Sequence, residues 1–112
     1  MKRRIDTNLP FFEEILMRAR DCRRNGSAAL DLCYVAAGRH DLYWEPNLKA
    51  WDIAAGALMV QEAGGALTDM HGKPLTCKAA QSENDKFAIF ASNAHLHPVV
   101  LRHFDAVRER EQ

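Results

Sequence analysis

Residues 44–59 of the chain, WEPNLKAWDIAAGALM, join a segment typical of a β-strand to a segment typical of a helix. From Ile53 to Val60 every residue is uncharged and either small or apolar, yet a carboxylate, Asp52, comes just before them. Aspartate is among the best helix N-caps, so a purely structural cap explains this position. A carboxylate held at a helix N-terminus also suits a hard cation such as Mg²⁺. The stretch predicts a strand followed by a helix and leaves two roles open for Asp52.

A second helix of similar character precedes this unit. Ser27 is a suitable N-cap for a helix over residues 28–37, and Gly38 is the glycine expected after its end. The later helix is expected over residues 53–63, with Gly64–Gly65 ending it. Both helices are apolar on nearly every side, which is typical of helices buried on two faces. Because so short a chain has little surface to cover them, we expect an exposed apolar patch and self-association.

The segments around these helices alternate between helical and strand patterns. Apolar residues recur at helical spacing near the N-terminus, and short apolar or alternating runs follow later in the chain. Strands that alternate with helices indicate a layered α/β sandwich. The predicted elements are a helix from Asn8 or Pro10 to about Arg20, a turn or short strand at 22–26, a strand at 41–45 that Pro46 and Asn47 interrupt, strands at 66–70 and 87–92, a polar loop at 76–86, and a helix from about Leu96 to Arg108.

The overall composition is that of an ordinary globular domain. The 112 residues are 47% hydrophobic and 27% charged with zero formal net charge, so we interpret 1–112 as a single domain. Near-neutral charge argues against nucleic acid or an anionic membrane as the partner. No apolar run approaches the roughly 20 residues of a membrane-spanning helix, and the basic N-terminus lacks the apolar core of a secretory signal. The scattered Cys22, Cys33 and Cys77 fit free thiols in a reducing cytoplasm.

Two further places in the sequence could contact a ligand. Glu45 ends the first predicted strand, seven residues before Asp52. It is either a solvated residue or part of a cleft along the edge of the sheet. Gly26 and Ser27 form another turn into a helix, whose backbone amides either only begin the helix or face an anionic ligand. The spacing of these residues alone does not distinguish a structural role from ligand binding.

Three segments resemble a known family. GSAALDLCYVAAGRHDLYWE (26–45), KAWDIAAGALMVQEAGG (49–65) and LTDMHGKPL (67–75) closely resemble the C-terminal half of the inositol monophosphatases. These are Mg²⁺-dependent, lithium-sensitive phosphatases of the fructose-bisphosphatase-like group. The resemblance extends from about Phe11 to the final helix. It implies the fold of that half, a layered α/β sandwich with a mixed sheet, and a cytoplasmic homo-oligomer, commonly a dimer.

The resemblance also implies roles for particular residues. The Asp of the Trp-Asp pair is a metal ligand in the family, so Asp52 is expected to bind Mg²⁺. The Glu seven residues earlier contacts an inositol hydroxyl, which carries over to Glu45. The Gly-Ser/Thr-Ala turn touches the substrate, which carries over to Gly26, Ser27 and Ala28. Asp52 can cap the helix and bind the metal at once, because one carboxylate has two oxygens.

One part of the family pattern has no counterpart in the chain. The other metal ligands are a Glu and an Asp-Pro-Leu/Ile-Asp-Gly-Thr segment, which also binds phosphate and positions the attacking water. We therefore expect no catalytic residue here and no activity from the chain alone. It would correspond to the second half of an enzyme, from a truncated, split or deliberately shortened gene, and would need the N-terminal half or a partner copy.

The expected function is Mg²⁺-dependent hydrolysis of an inositol phosphate, a small-molecule phosphate ester. Histidinol phosphate, a fructose bisphosphate and a nucleotide phosphate remain open as substrates. A non-catalytic protein-interaction module remains open as a different class of function.

The other notable side chains are given structural interpretations. His95 and His97 could suggest a metal pair, but we interpret both as polar residues at the start of the last helix. Asp31 is either an interior hydrogen-bond acceptor, which we favour, or a solvated residue. The rest are interpreted as surface histidines (His40, His71), a turn cap (Asp69) and packing residues (Cys33, Trp44, Trp51).

Overall fold

The computed structural model describes residues 3–19, 22, 27–75 and 86–111. Within these ranges four helices and three strands form, and a short 3₁₀ turn at Arg4–Asp6 precedes them. In chain order they are α1 (Leu9–Leu16), α2 (Ala28–Ala36), β1 (Leu42–Lys49), α3 (Ala50–Glu62), β2 (Ala66–Thr68), β3 (Lys86–Ser92) and α4 (His97–Arg110). None of the described helices is long and apolar enough to cross a bilayer.

The three strands form one sheet in the order β1-β3-β2. Both pairings are antiparallel, with Trp44 opposite Phe90 and Leu67 opposite Ala91. The expected mixed sheet is therefore antiparallel throughout its described strands. The α/β sandwich itself is confirmed, since helices lie on both faces of this sheet.

Each face of the sheet has its own hydrophobic core. Alternate side chains of a strand point to opposite faces, so neighbouring residues of β3 belong to different cores. Phe90 packs with α1 and α4, whereas Ile89 and Ala91 pack with α2 and α3. The first core contains Phe11, Ile15, Met70, Phe90, Val100, Phe104 and Val107. The second contains Leu32, Val35, Val60, Ile89 and Ala91.

Aromatic rings fill the core between the sheet and α4. Phe104 is fully buried, with its ring centroid 5.6 Å from that of Phe11 and 5.2 Å from that of Phe90, both edge-to-face. Trp44 lies 5.9 Å from Phe104 and donates its indole N–H to Asn8 Oδ1 at 2.7 Å. The packing role predicted for Trp44 is therefore confirmed.

Glycines end both helices of the second layer, as predicted. Gly38 after α2 and Gly64 after α3 have φ of +78° and +84°, a region that glycine enters without steric cost. After α3, the Gly65 N–H donates to Val60 O at 2.9 Å, which closes the last turn. A Cβ at Gly65 would also lie 3.0 Å from Ser92 O, so the chain passes tightly from α3 into β2.

The turn after β2 is organised by Asp69. Its Oδ1 accepts the backbone N–H groups of His71 and Lys73 at 2.8 and 2.9 Å. Gly72, at φ +89°, completes the reversal. This confirms the cap role predicted for Asp69 and the turn predicted at His71 and Gly72.

Several predicted boundaries are wrong, and one of them is the end of β2, which is Thr68 and not Met70. Pro46 and Asn47 do not end the first strand; β1 continues to Lys49 and leads directly into α3. Between Glu45 and Leu48 the register shifts, so two residues of β1 lie opposite one of β3. Pro46, which has no N–H to donate, is tolerated at such a bulge. The first helix is also shorter than predicted, because α1 ends at Leu16 rather than near Arg20.

Residues 23–26 of the turn or short strand predicted at 22–26, residues 76–85 of the predicted loop, and Cys77 lie outside the described residues, and so does the side chain of Trp51.

Candidate active site

The N-terminus of α2 is capped as the sequence predicts. Ser27 has an extended backbone, and its Oγ accepts the Leu30 N–H at 3.2 Å. Ala28 is the first residue of the helix. The first backbone amides of a helix have no partner within it, so they are available to a ligand. Gly26, the first residue of the predicted substrate turn, lies outside the described residues.

α2 and α3 cross closely and run in the same general direction. A Cβ added at Gly56 would lie only 2.7 Å from Leu32 Cβ, so the close approach depends on a missing side chain. Further along both helices, Cys33 Sγ lies 3.5 Å from Met59 Sδ. The last residues of both helices line one open groove. The two C-termini therefore share one end of this layer, and the two N-termini share the other.

Ser27 and Asp52 both lie at the shared N-terminal end. Ser27 precedes Leu32 by five residues and Asp52 precedes Gly56 by four. At about 1.5 Å per residue, each lies roughly 6–8 Å from the crossing. Asp52 is the third residue of α3, which begins at Ala50, so it lies in the first turn and not at the cap as predicted. The convergence of two helix N-termini makes this end favourable for anions.

Glu45 lies on the same side of the sheet as α2 and α3. It pairs with Ile89, and directly paired residues of antiparallel strands point to the same face. Ile89 packs in the core beneath α2 and α3. Glu45 is partly buried and comes just before the bulge of β1. Bulges re-aim side chains and are frequent beside active sites.

The family model of the inositol monophosphatases matches residues 2–109. The chain belongs to the inositol monophosphatase family. The match is to the C-terminal part of the family's fold.

Named relatives and a solved structure agree with this assignment. The chain is 44% identical over 100 residues to phosphatase IMPL1, chloroplastic, of Arabidopsis thaliana, covering 85% of this chain and 24% of that protein. It is 54% identical over 69 residues to the Nus factor SuhB of Xylella fastidiosa, covering 62% of this chain and 25% of that protein. The inositol monophosphatase structure from Anabaena aligns with a TM-score of 0.79 at 35% identity, covering 91% of this chain and 38% of that one. The chain thus spans about a quarter of the length of these two relatives.

A metal site of the inositol monophosphatase type is not complete within the described residues. Nowhere in the described ranges do three or more His, Cys, Asp or Glu side chains group closely enough to hold a metal ion. Mg²⁺ is usually held by one or two carboxylates together with water and substrate phosphate. Asp52, the metal ligand that the resemblance predicts, has its backbone in the first turn of α3, but its side chain lies outside what the structure describes. The remaining ligands would have to come from elsewhere.

The sequence analysis placed His97 among the polar residues that begin the last helix. In the structure its side chain is almost fully buried. Only 5% of it is exposed, and its ring stacks on Phe90 with centroids 4.1 Å apart. Its Nδ1 lies 2.6 Å from Ser92 Oγ and its Nε2 lies 2.8 Å from Thr68 Oγ1. Burial lowers the pKa of His97, so the ring is neutral at pH 7. It joins β2, β3 and α4 and has no access to a ligand.

A buried glutamate joins α1 to α4, and the sequence pattern gave no sign of it. Glu14 is 6% exposed, with Oε1 2.8 Å from Arg110 Nη1 and Oε2 2.8 Å from His103 Nδ1. Arg18 Nη1 lies 3.2 Å from the same Oε2. The hydrogen bond from Arg110, supported by His103 and Arg18, lowers the pKa of Glu14.

Three other predictions can be compared with the structure. Asp31 is 4% exposed, which agrees with an interior role. His71 is exposed and His40 is partly buried, with its ring centroid 5.1 Å from that of Tyr34. Cys33 is only partly buried, so the core position predicted for it is wrong.

Proposed function

We propose that this chain forms the substrate-recognition side of a Mg²⁺-dependent phosphatase that acts on inositol phosphates. The observation that carries the proposal is the convergence of the α2 and α3 N-termini on the side of the sheet that also bears Glu45. Helix N-termini attract an anionic phosphate ester, and a carboxylate can accept hydrogen bonds from neutral hydroxyls. Family membership and the names of the Arabidopsis and Anabaena proteins support a phosphatase of this type.

Each candidate residue has a distinct task in this proposal. Asp52 supplies one carboxylate to Mg²⁺, which when bound polarises the phosphoryl oxygens and activates water. Glu45 accepts hydrogen bonds from ring hydroxyls and so orients the substrate. Gly26, Ser27 and Ala28 would contact the substrate, as the family resemblance implies, and the Ser27 side chain caps α2. In this proposal the residues that position the attacking water come from the part of the enzyme outside this chain.

The proposal predicts that Glu45 discriminates between substrates. The chain is mixed with a fragment of the Anabaena inositol monophosphatase, namely the part of that protein that does not align with this chain. Phosphate release by the mixture is measured. Glu45→Gln should reduce turnover of inositol 1-phosphate about 10-fold or more while leaving p-nitrophenyl phosphate almost unaffected, because only the first substrate has ring hydroxyls.

A matched control is Glu62→Gln, the same change at an exposed position at the C-terminal end of α3. It should leave both activities unchanged. Equal losses on both substrates with Glu45→Gln would remove the specificity role. Failure of the unaltered chain to restore any Mg²⁺-dependent activity would contradict the phosphatase proposal as a whole.

The similarity to the Xylella fastidiosa protein named Nus factor SuhB favours a second candidate, a non-catalytic protein-interaction module. This candidate predicts that the chain binds a protein partner and that Glu45→Gln and Asp52→Asn leave that binding unchanged. Histidinol phosphate, fructose bisphosphate and nucleotide phosphates are tested as alternative substrates in the same phosphate-release assay.

A further inference from the structure

The crossing between α2 and α3 is too tight for a side chain on α3. Gly56 on α3 is buried and lies against Leu32 on α2, which is fully buried. A Cβ built at Gly56 would lie 2.7 Å from Leu32 Cβ and 2.8 Å from Leu32 Cδ1. Leu32 Cβ is bonded directly to the backbone of α2, so no change of rotamer can move it away. The two helices can be this close only because residue 56 has no side chain.

Glycine at position 56 is not required by the backbone of α3. The positive φ values among the described residues belong to Gly38, Gly64 and Gly72, so Gly56 has the backbone of an ordinary helical residue. Alanine would be a better helix former there than glycine. The glycine therefore weakens α3 locally, and its structural benefit is the close approach to α2.

The other end of α3 is held by a separate tight contact. A Cβ at Gly65, just after the helix, would lie 2.9 Å from Val60 Cγ1 and 3.0 Å from Ser92 O of β3. Because this contact fixes the end of α3 against the sheet, a group inserted at Gly56 would displace mainly the N-terminal part of the helix. Carbon atoms in contact are normally about 3.5–4.0 Å apart, so the displacement needed at Gly56 is roughly 1 Å.

The N-terminal part of α3 is the part that carries the proposed metal ligand. Asp52 precedes Gly56 by about one helical turn. Ser27, the cap of α2, precedes Leu32 by little more than one turn. The separation of α2 and α3 at their crossing therefore sets the separation between the start of α3 at Asp52 and the turn at Ser27.

We propose that Gly56 is a positioning residue of the phosphatase site, and this inference rests on the proposed function. By admitting α2 to close contact, it holds Asp52 and the turn at Ser27 at the distance at which both act on one phosphate ester and its metal ion. A displacement of about 1 Å caused far from the reacting atoms can lower an enzyme's rate about 100-fold. Gly56 has no part in recognising ring hydroxyls, so its replacement should affect every phosphate ester alike.

The test is Gly56→Ala in the mixture of the full chain with the Anabaena fragment. Its kcat should fall at least about 10-fold on inositol 1-phosphate and by the same factor on p-nitrophenyl phosphate, in contrast to Glu45→Gln. The Mg²⁺ concentration for half-maximal activity should rise, because Asp52 is displaced from the other ligands. Rates are compared at a temperature at which circular dichroism shows the variant to be folded.

The matched control is Gly65→Ala, which makes the same change and the same kind of overlap at the opposite end of α3. It should lower the urea midpoint as Gly56→Ala does, but leave kcat and the Mg²⁺ requirement almost unchanged. Equal losses of kcat in the two variants would overturn the inference and leave the proposed function standing, because activity would then follow stability alone. Absence of Mg²⁺-dependent activity in the parent mixture would contradict the proposed function and the inference together.

A second measurement separates a displaced site from an unstable fold. Trimethylamine N-oxide favours the folded state without adding a contact at Gly56. It should restore the circular dichroism signal of any Gly56→Ala protein that is partly unfolded, whereas kcat should stay at least about 10-fold below that of the parent under the same conditions. Recovery of kcat together with the fold would overturn the inference, since Gly56 would then serve stability only.

Discussion

Replacing Glu14 by glutamine should destabilise the chain by about 1–3 kcal/mol. The carboxylate is buried and makes charged hydrogen bonds to Arg110 and His103, each 2.8 Å long. Hydrogen bonds to charged groups contribute about 1.5–3 kcal/mol in proteins. The loss is smaller than for a fully buried ion pair, because Arg110 and Arg18 are 56% and 52% exposed and regain water when the charge is removed.

The prediction is checked by urea unfolding of the parent and the variant, followed by circular dichroism. Glu13→Gln is the matched control, because Glu13 precedes Glu14 but is 52% exposed and pairs only with Arg4 among the described residues. It should change the free energy of unfolding by less than about 1 kcal/mol. A difference between the two variants below about 0.5 kcal/mol would refute the argument that burial makes Glu14 the stronger contributor.

The effect of Glu14 should also depend on pH. Its basic partners lower its pKa in the folded chain below the value of about 4.3 expected for an unfolded glutamate. The stabilisation is therefore fully present above about pH 4.3 and is lost as the pH falls through the folded-state pKa. The parent and Glu14→Gln should differ most at neutral pH and converge in acid. A constant difference from pH 7 to pH 3 would contradict this assignment of charge.

Three further predictions concern other parts of the fold. Gly56→Ala should destabilise the chain by about 1–3 kcal/mol, because the new methyl meets Leu32, whereas Ala54→Ser on an exposed part of α3 should change little. The lowered pKa of His97 means that its protonation favours unfolding, so the urea midpoint should fall as the pH drops below about 6.5, and His97→Gln should flatten that slope. The exposed apolar side chains on α2 and α3 should make the isolated chain self-associate in light scattering; a monomer that binds no hydrophobic dye over a wide concentration range would contradict this.

The sequence predicted features that depend on neighbouring residues. Ser27 caps α2, and Gly38 and Gly64 end helices at positive φ, because each of these choices is decided within one helical turn. The layered α/β architecture followed from the alternation of patterns.

Features set by distant contacts were not predictable in the same way. β1 continues past Pro46 because β3 pairs with it across a bulge, and no local signal shows that partner. Glu14 is buried because Arg110 and His103, about ninety residues later in the chain, provide hydrogen bonds to its carboxylate. His97 is buried because Ser92 and Thr68 satisfy its ring nitrogens.

The candidate site also combines features that local sequence predicts with features that depend on distant contacts. The cap position of Ser27 was predicted, and so was the presence of Asp52 at the start of a helix, whereas Glu45 lies within β1 and not at its end as predicted. Their convergence depends on the direct passage from β1 into α3 and on the close crossing at Gly56. The roles in binding metal and substrate came from the family resemblance and stay predictions.

The most direct test of the central claim is the Mg²⁺-dependent activity of Asp52→Asn in the mixture with the Anabaena fragment. The chain alone should bind Mg²⁺ weakly and release no phosphate from inositol 1-phosphate, because one carboxylate cannot hold the ion tightly. The mixture should release phosphate, and Asp52→Asn should abolish this while circular dichroism shows an intact fold. Asp41→Asn, an exposed aspartate just before the opposite end of β1, should retain activity. Full activity from the chain alone, or undiminished activity in Asp52→Asn, would contradict the account.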